Sequence, residues 1–229
     1  MSQESRSDHP RRVRSFVIRE GRFTPSQRRN LERHWPQLGF EPGTELSTVF
    51  GRSAPLVVEV GFGMGDSLFE TAQLEPDRNF LGVEVHRPGV GHLLGLAGAA
   101  GLINLRVAVA DVHTVLAGLP ASSVEVVQVF FPDPWPKKRH HKRRLIQPAF
   151  VQAAIDRIAP GGVLHVVTDW APYAKSIEAV LAEFPELRPV APPTRVTTKY
   201  ERRGLRLGHS ITEFAFRLPH ARPPAAGGH

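Results

Sequence analysis

An α/β fold built on a parallel β-sheet is what this sequence predicts, and three observations predict it. Short apolar runs alternate with helix-compatible stretches from residue 56 onward, and that alternation specifies parallel strands joined by right-handed crossovers. The first of these runs carries Glu59 and opens directly into Gly61-Phe62-Gly63-Met64-Gly65, a loop whose glycines allow a tight turn and close approach of a ligand to backbone. Three acidic residues, Glu59, Glu84 and Asp111, stand at the ends of three successive apolar runs, where open α/β sheets collect their ligands.

The elements follow in order. Residues 1–12 are polar and charged and are expected to be disordered. Residues 13–55 form a basic N-terminal segment and linker. Arg11, Arg12, Arg14, Arg19 and Arg22, which straddle its start, form either a second phosphate contact or an ordinary basic tail. Thr24 as N-cap and Pro25 at the first helical position predict a short helix over 26–35. Pro42-Gly43 and Ser53-Ala54-Pro55 punctuate the linker. The α/β domain spans 56–218, with strands at 56–60, 80–85, 105–110, 124–131 and 163–168. Asp66 or Ser67 caps a helix reaching about residue 74, and 88–100 reads as a small-residue helix in spite of its glycines. A helix over 147–158 stops at Pro160-Gly161-Gly162, and another over 171–183 ends before Pro185. Residues 211–218 alternate apolar and polar, the pattern of an antiparallel edge strand. The Pro/Gly/Ala-rich 219–229 is a flexible tail.

A hydrophobic content of 41% over 229 residues supports one well-formed core. The chain has no cysteine, which excludes disulfides and thiolate zinc sites and fits a cytoplasmic protein. No run reaches the apolar length of a membrane span, and the Arg-rich start lacks the apolar core of a secretory signal.

Charge is concentrated in one place. Phe130-Phe131-Pro132-Asp133-Pro134-Trp135-Pro136 runs into Lys137-Lys138-Arg139-His140-His141-Lys142-Arg143-Arg144. The formal net charge is +7, from 29 Lys and Arg against 22 Asp and Glu. Without the six cations of 137–144 the balance falls to 23 against 22, so the basic character is local, as a phosphate footprint would be. His140 and His141 belong to this run and lack neighbouring ligands, so no metal is expected. Pro132 and Pro134 fix the backbone on either side of Asp133. Trp135 either stacks on a base or packs into the core.

The glycine loop reads G-x-G-x-G rather than the G-x-G-x-x-G of dinucleotide sites. A carboxylate at Glu59 would repel a pyrophosphate and suits a cationic ligand such as S-adenosylmethionine. Glu84, 19 residues after Gly65, is placed to accept both hydroxyls of a ribose. Asp111 is placed to accept an adenine amino group.

These residues resemble those of the bacterial tRNA (guanine-N7)-methyltransferases. The resemblance runs from about Arg14 to Phe216 and rests on five ordered segments: Val58 to Gly65, Gly82 to Gly91, Phe131 to His140, Thr168-Asp169-Trp170 and Thr198 to Gly204. It implies a class I methyltransferase domain over 56–218, Rossmann-like, with a seven-stranded, mostly parallel sheet, an antiparallel last strand and helices on both faces. It implies transfer of the S-adenosylmethionine methyl to N7 of a guanosine in the tRNA variable loop, leaving S-adenosylhomocysteine. By match of motif, Glu59, Gly61, Gly63, Gly65, Glu84, Asp111 and Asp133 hold the cofactor, and Asp133 is the catalytic residue. Lys137, Asp169, Thr198, Lys199, Tyr200 and Glu201 contact the substrate, and Arg139, His140, His141, Lys142, Arg143 and Arg144 contact RNA. Tyr200 stands where many members carry Phe. The expected assembly is a monomer or a homodimer.

Guanine N7 carries a free lone pair, so its methylation needs no general base; a carboxylate at Asp133 would stabilise the cation that develops on the ring. Two other readings compete. One is an exocyclic-amine methyltransferase acting on DNA or ribosomal RNA, whose acceptor motif Asp133-Pro134-Trp135 matches poorly. The other is a tRNA-binding protein that has kept the fold without the chemistry.

Overall fold

The computed structural model describes residues 23–206, 208 and 210–220. The expectations for residues 1–22 and for most of the C-terminal tail lie outside the described residues.

A helix α1 (Pro25–Leu38) comes first. Its Thr24 cap is reciprocal: Gln27 N–H donates to Thr24 Oγ1 and Thr24 N–H donates to Gln27 Oε1. A short α2 (Leu46–Phe50), not anticipated, lies in the segment read as linker. It is held there because Phe40 and Phe50 are buried in the core. Then follow β1 (Leu56–Val60), α3 (Asp66–Leu74), β2 (Asn79–Val83), α4 (Arg87–Ala99), β3 (Leu105–Ala108), α5 (Val112–Gly118) and β4 (Val124–Phe130). After a 3-10 turn (Lys138–Arg143) come α6 (Pro148–Ile155), β5 (Ile158–Thr168), α7 (Ala171–Leu181), β6 (Arg188–Pro189), α8 (Lys199–Arg206) and β7 (Thr212–Arg217).

The seven strands order as β3-β2-β1-β4-β5-β7-β6. Strands β1 to β5 are mutually parallel and β7 is antiparallel to both neighbours. The strand read as an edge is therefore interior over part of its length, because the two-residue β6 pairs with Arg217 and Phe216. The stop expected at Pro160-Gly161-Gly162 is also displaced. The helix ends at Ile155, and β5 runs through these residues, with Gly161 at φ +86° donating its N–H to Leu218 O. No helix among the described residues is long and apolar enough to cross a membrane.

Strand alternation sends side chains to two cores. Val57, Phe80, Leu105 and Val126 meet α1, α3 and α4 on one face, while Val58, Leu81, Val127 and Val129 meet α5, α6 and α7 on the other. The strand order reverses between β1 and β4, which opens a crevice at their carboxyl ends.

The glycines of α4 have a packing role. A Cβ at Gly91 would lie 2.3 Å from Gln27 O, at Gly95 2.1 Å from Asn30 Nδ2, and at Gly98 2.3 Å from the His34 ring. This bare stripe admits α1. Gly91→Ala should therefore destabilise by about 1–3 kcal/mol in urea unfolding, even though alanine is the better helix former. Gly95→Ala should cost less, since it meets the end of a side chain rather than backbone. A Gly91→Ala protein as stable as the parent would contradict this docking of α1.

Candidate active site

The carboxyl ends of β1, β2 and β4 converge on two neighbouring cavities that share Gly61 and Phe131 as a common wall. The smaller, about 210 Å³, is lined by Val83, Glu84, Val85, Ala110, Val112, Pro132, Asp133, Trp135 and Leu145. The larger, about 460 Å³, is lined by Glu59, the loop from Phe62 to Ser67, Phe130, Thr198 and Tyr200.

Glu59 is 4% exposed on the buried strand β1. Its register partner on β4 is Gln128, whose Nε2 donates to Glu59 Oε2 at 2.9 Å. Burial pushes the Glu59 carboxyl up to about 7; the Gln128 hydrogen bond opposes the rise and the Glu84 charge adds to it. A buried acid with its pKa raised in this way, facing a cavity, is poised to ionise when a cation arrives. The glycines beside it present backbone to open space, since a Cβ at Gly61 or Gly63 would meet nothing within 4 Å. Gly61, Gly63 and Gly65 all have positive φ.

Glu84 has a task that the sequence did not reveal. Its Oε2 accepts the Gly63 N–H (2.9 Å), and its Oε1 accepts those of Val85 (2.7 Å) and His86 (2.9 Å). A carboxylate offers about four acceptor positions. Room is left for one further donor, not for both hydroxyls of a ribose, unless a backbone contact is released. Glu84 thus shapes the glycine loop as well as facing the cavity. Asp111 caps α5 by accepting the His113 N–H at 2.9 Å, and its neighbours Ala110 and Val112 form cavity wall.

Asp133 is exposed at the mouth. The corner carrying it is over-determined: Phe131 and Trp135 on either side sit at φ +52° and +44°, a left-handed conformation costly for bulky side chains. Phe131 N–H donates to Val167 O and Arg144 Nε donates to Pro134 O, pinning both ends. Trp135 lines the smaller cavity with Arg143 over one face and the His140 ring against its edge. Its indole Nε1 is buried without a hydrogen-bond partner.

The basic run divides. Lys137, Lys138, Arg139 and Lys142 are exposed, and His141 and Arg143 are half-buried. Arg144 does not face solvent as the RNA-contacting reading expects. It is 4% exposed, lies 4.7 Å over the buried Tyr173 ring and holds the Pro134 carbonyl. Burial, then the charges of Arg143, Arg139 and Lys137, push the His140 imidazole below its ordinary value.

Asp169 and Trp170 follow β5 at the same end of the sheet as the corner. Thr198 and Tyr200 line the larger cavity, with Tyr200 57% exposed and its ring 5.3 Å from Phe131. Glu201 points inward instead, at 7% exposure. It forms a capping box with Thr198: Glu201 N–H donates to Thr198 Oγ1 and Thr198 N–H to Glu201 Oε2. Thr198-x-x-Glu201 is itself the sequence signature of that box, and the sequence reading missed it. Of Lys199, the backbone alone is described. Sequence reading also missed Gln128, for which a polar residue inside an apolar strand was the available signal, and Arg195, for which there was none. Among the described residues no group of three or more His, Asp or Glu is placed to hold a metal ion.

The known proteins similar to this chain are methyltransferases. The family model described as "Putative methyltransferase" matches residues 53–214. A tRNA (guanine-N(7)-)-methyltransferase of Halorhodospira halophila is 53% identical over 95% of this chain and 99% of its own. Those of Chromohalobacter salexigens and Nitrosococcus oceani are 49% and 48% identical, over 93% and 95% of this chain and 92% and 95% of theirs. Among solved structures, the 16S rRNA methyltransferase KamB superposes with a TM-score of 0.58 at 17% identity, over 76% of this chain and 93% of that one. A 16S rRNA (adenine(1408)-N(1))-methyltransferase with cosubstrate SAM gives 0.55 at 16%, over 81% and 98%. These two share the fold.

The raised Glu59 pKa has a measurable consequence. The unfolded chain ionises this group near 4.5 whereas the fold keeps it protonated to about 7. Its favourable contribution is complete below the lower value and is lost as pH rises through the upper one. Relative to Glu59→Gln, the parent should lose roughly 3 kcal/mol of stability between pH 4.5 and pH 8, read from urea unfolding across pH. Parallel stability curves for the two proteins would rule this out.

Proposed function

The chain belongs to the tRNA (guanine-N(7))-methyltransferase family, and from that premise we propose that it methylates N7 of a guanosine in the tRNA variable loop with S-adenosylmethionine as donor. The observation that carries the reading is the juxtaposition of a buried carboxylate, Glu59, with an open glycine backbone and the constrained Asp133 corner across a shared wall.

The residues fit this cofactor. Glu59, whose ionisation burial opposes, supplies a negative charge when a ligand carrying an ammonium and a sulfonium arrives. Gly61 and Gly63, open on the cavity side, let its chain lie against backbone, and Gly65 makes the turn where a Cβ would meet Leu93. Glu84, flanked by the apolar Val83, Val85, Val112 and Leu145, suits a ribose beside a flat base. When bound, S-adenosylmethionine supplies an electrophilic methyl group.

The rest is the work of the chain. Tyr200, exposed on the rim beside Phe131, gives the extruded guanine a surface to stack on. Asp133 accepts hydrogen bonds from the guanine N1–H and amino group. In that position its charge stabilises the positive ring formed as N7 gains the methyl. No proton leaves N7, so the chain's task is to orient and to stabilise charge. Lys137 and Asp169 orient the substrate. Arg139, Lys142 and the other exposed cations grip phosphates. The chemistry belongs in the cytoplasm, where tRNA is.

Two experiments test the reading. Purified protein is incubated with methyl-labelled S-adenosylmethionine and unmodified tRNA, and the nucleosides are then identified by mass. Label is expected as 7-methylguanosine from the variable loop, and label on an exocyclic amine would overturn the assignment. In the same assay Asp133→Asn should lower kcat about 10²–10³-fold with tRNA affinity little changed; near-parental turnover would remove Asp133 from the mechanism. In tRNA titrations across salt, Arg139→Ala with Lys142→Ala should flatten the log–log slope by roughly 1.5. Arg144→Ala should leave the slope unchanged and lower stability instead. A slope that responds to Arg144 and not to the pair would contradict the division of the basic run.

A further inference from the structure

Between β6 and α8, Arg195 joins three parts of the molecule. Its Nη1 and Nη2 donate to the two oxygens of Glu201 at 2.5 and 2.8 Å. Its Nε donates to Glu213 Oε1 on β7 at 3.0 Å. Its guanidinium lies 5.3 Å from the centre of the Phe130 ring, at the end of β4 where the chain enters the Asp133 corner. We propose that Arg195 is a positioning residue for methyl transfer, which seats the α8 wall of the larger cavity through Glu201 without touching substrate. This rests on the function proposed above.

The composition of α8 makes the argument. Its sequence is KYERRGLR, and Tyr200, Arg202, Leu205 and Arg206 are exposed. Among its described side chains Glu201 is the one that is buried. Apolar burial therefore cannot seat this helix. A buried carboxylate is unfavourable unless it is paired with good geometry, and the bidentate fork of Arg195 provides that pairing. Tyr200 and Thr198, which line the cavity, adjoin Glu201 on the same turn, so their positions follow from where Glu201 is held.

The anchor on the other side is rigid. Glu213 also accepts from His165 Nε2 at 2.6 Å, and His165 is 1% exposed on β5. Burial pushes the Glu213 carboxyl up, but hydrogen bonds from Arg195 and His165 outweigh this and hold it below the usual carboxylate range. Burial lowers the His165 pKa and the Glu213 carboxylate opposes that fall. His165 is in register with Gln128, and Gln128 with Glu59. One row of polar side chains thus crosses the sheet from the cofactor carboxylate toward the arginine that holds the substrate wall.

The test compares the parent, Arg195→Met and Arg195→Lys. Each is measured for 7-methylguanosine formation on unmodified tRNA and for S-adenosylhomocysteine affinity by calorimetry, at a temperature where all are folded. Arg195→Met should lower kcat/KM for tRNA roughly 100-fold, the scale of an ångström-sized misplacement, while the affinity for S-adenosylhomocysteine changes by less than about twofold. Arg195→Lys, which keeps the charge and loses the fork, should fall between the two. It carries the test alone if the methionine variant does not fold. Folded variants with parental kcat/KM would overturn the proposal, as would a cofactor affinity that falls in step with activity. A parent that forms no 7-methylguanosine would instead overturn the functional reading, and this inference with it.

Discussion

A carboxylate that the fold has taken out of water organises this molecule. Glu59 lies in the middle of the sheet at the point where strand order reverses, and one side-chain hydrogen bond, from Gln128, does not compensate for its burial. Burying a charge in this way is unfavourable, and the surrounding structure holds it in place. Backbone glycines keep the cavity beside it open. Glu84 spends most of its acceptor capacity on backbone N–H groups, that of Gly63 in the glycine loop and those of Val85 and His86 beside it. Under the proposed function, stability lost in the empty protein is returned as recognition of a cationic cofactor.

The Asp133 corner applies the same logic to geometry. Two aromatic residues at positive φ are tolerated because the ends of the corner are tied to β5 and to Arg144. Arg144 is removed from the cationic surface for this purpose, and its stacking on Tyr173 couples the corner to α7. Within one basic run, Lys137, Lys138, Arg139 and Lys142 face outward, and Arg144 faces inward to hold the Pro134 carbonyl beside Asp133. A lysine at 144 would keep the charge but not the planar stacking and directed N–H.

Much of this was legible in the chain. The alternation of strands and helices, the glycine loop with Glu59 and Glu84, and the Pro132-Asp133-Pro134 corner all carry local signals, and each falls at the crevice. Local signals also misled. Pro160-Gly161-Gly162 reads as a break, yet a bulged strand passes through it, because β-pairing with β4 and β7 overrides local preference. The short helices α2, α5 and α8 were not seen, since five to eight residues show too little periodicity. Charge pattern could not separate Arg139 from Arg144, because the difference lies in Tyr173, 29 residues away in sequence. Arg195 was invisible for the same reason: its partners Glu201, Glu213 and Phe130 are gathered by the fold alone.

The measurement closest to the centre of this account is the proton exchanged when S-adenosylmethionine binds, taken from calorimetry in buffers of different ionisation enthalpy near pH 6.5. If the Glu59 carboxylate receives the positive charge of the cofactor, binding should release a proton from the parent, and Glu59→Gln should lose that release. Binding to the parent without proton release, or with a release that the glutamine variant preserves, would contradict the role assigned to Glu59.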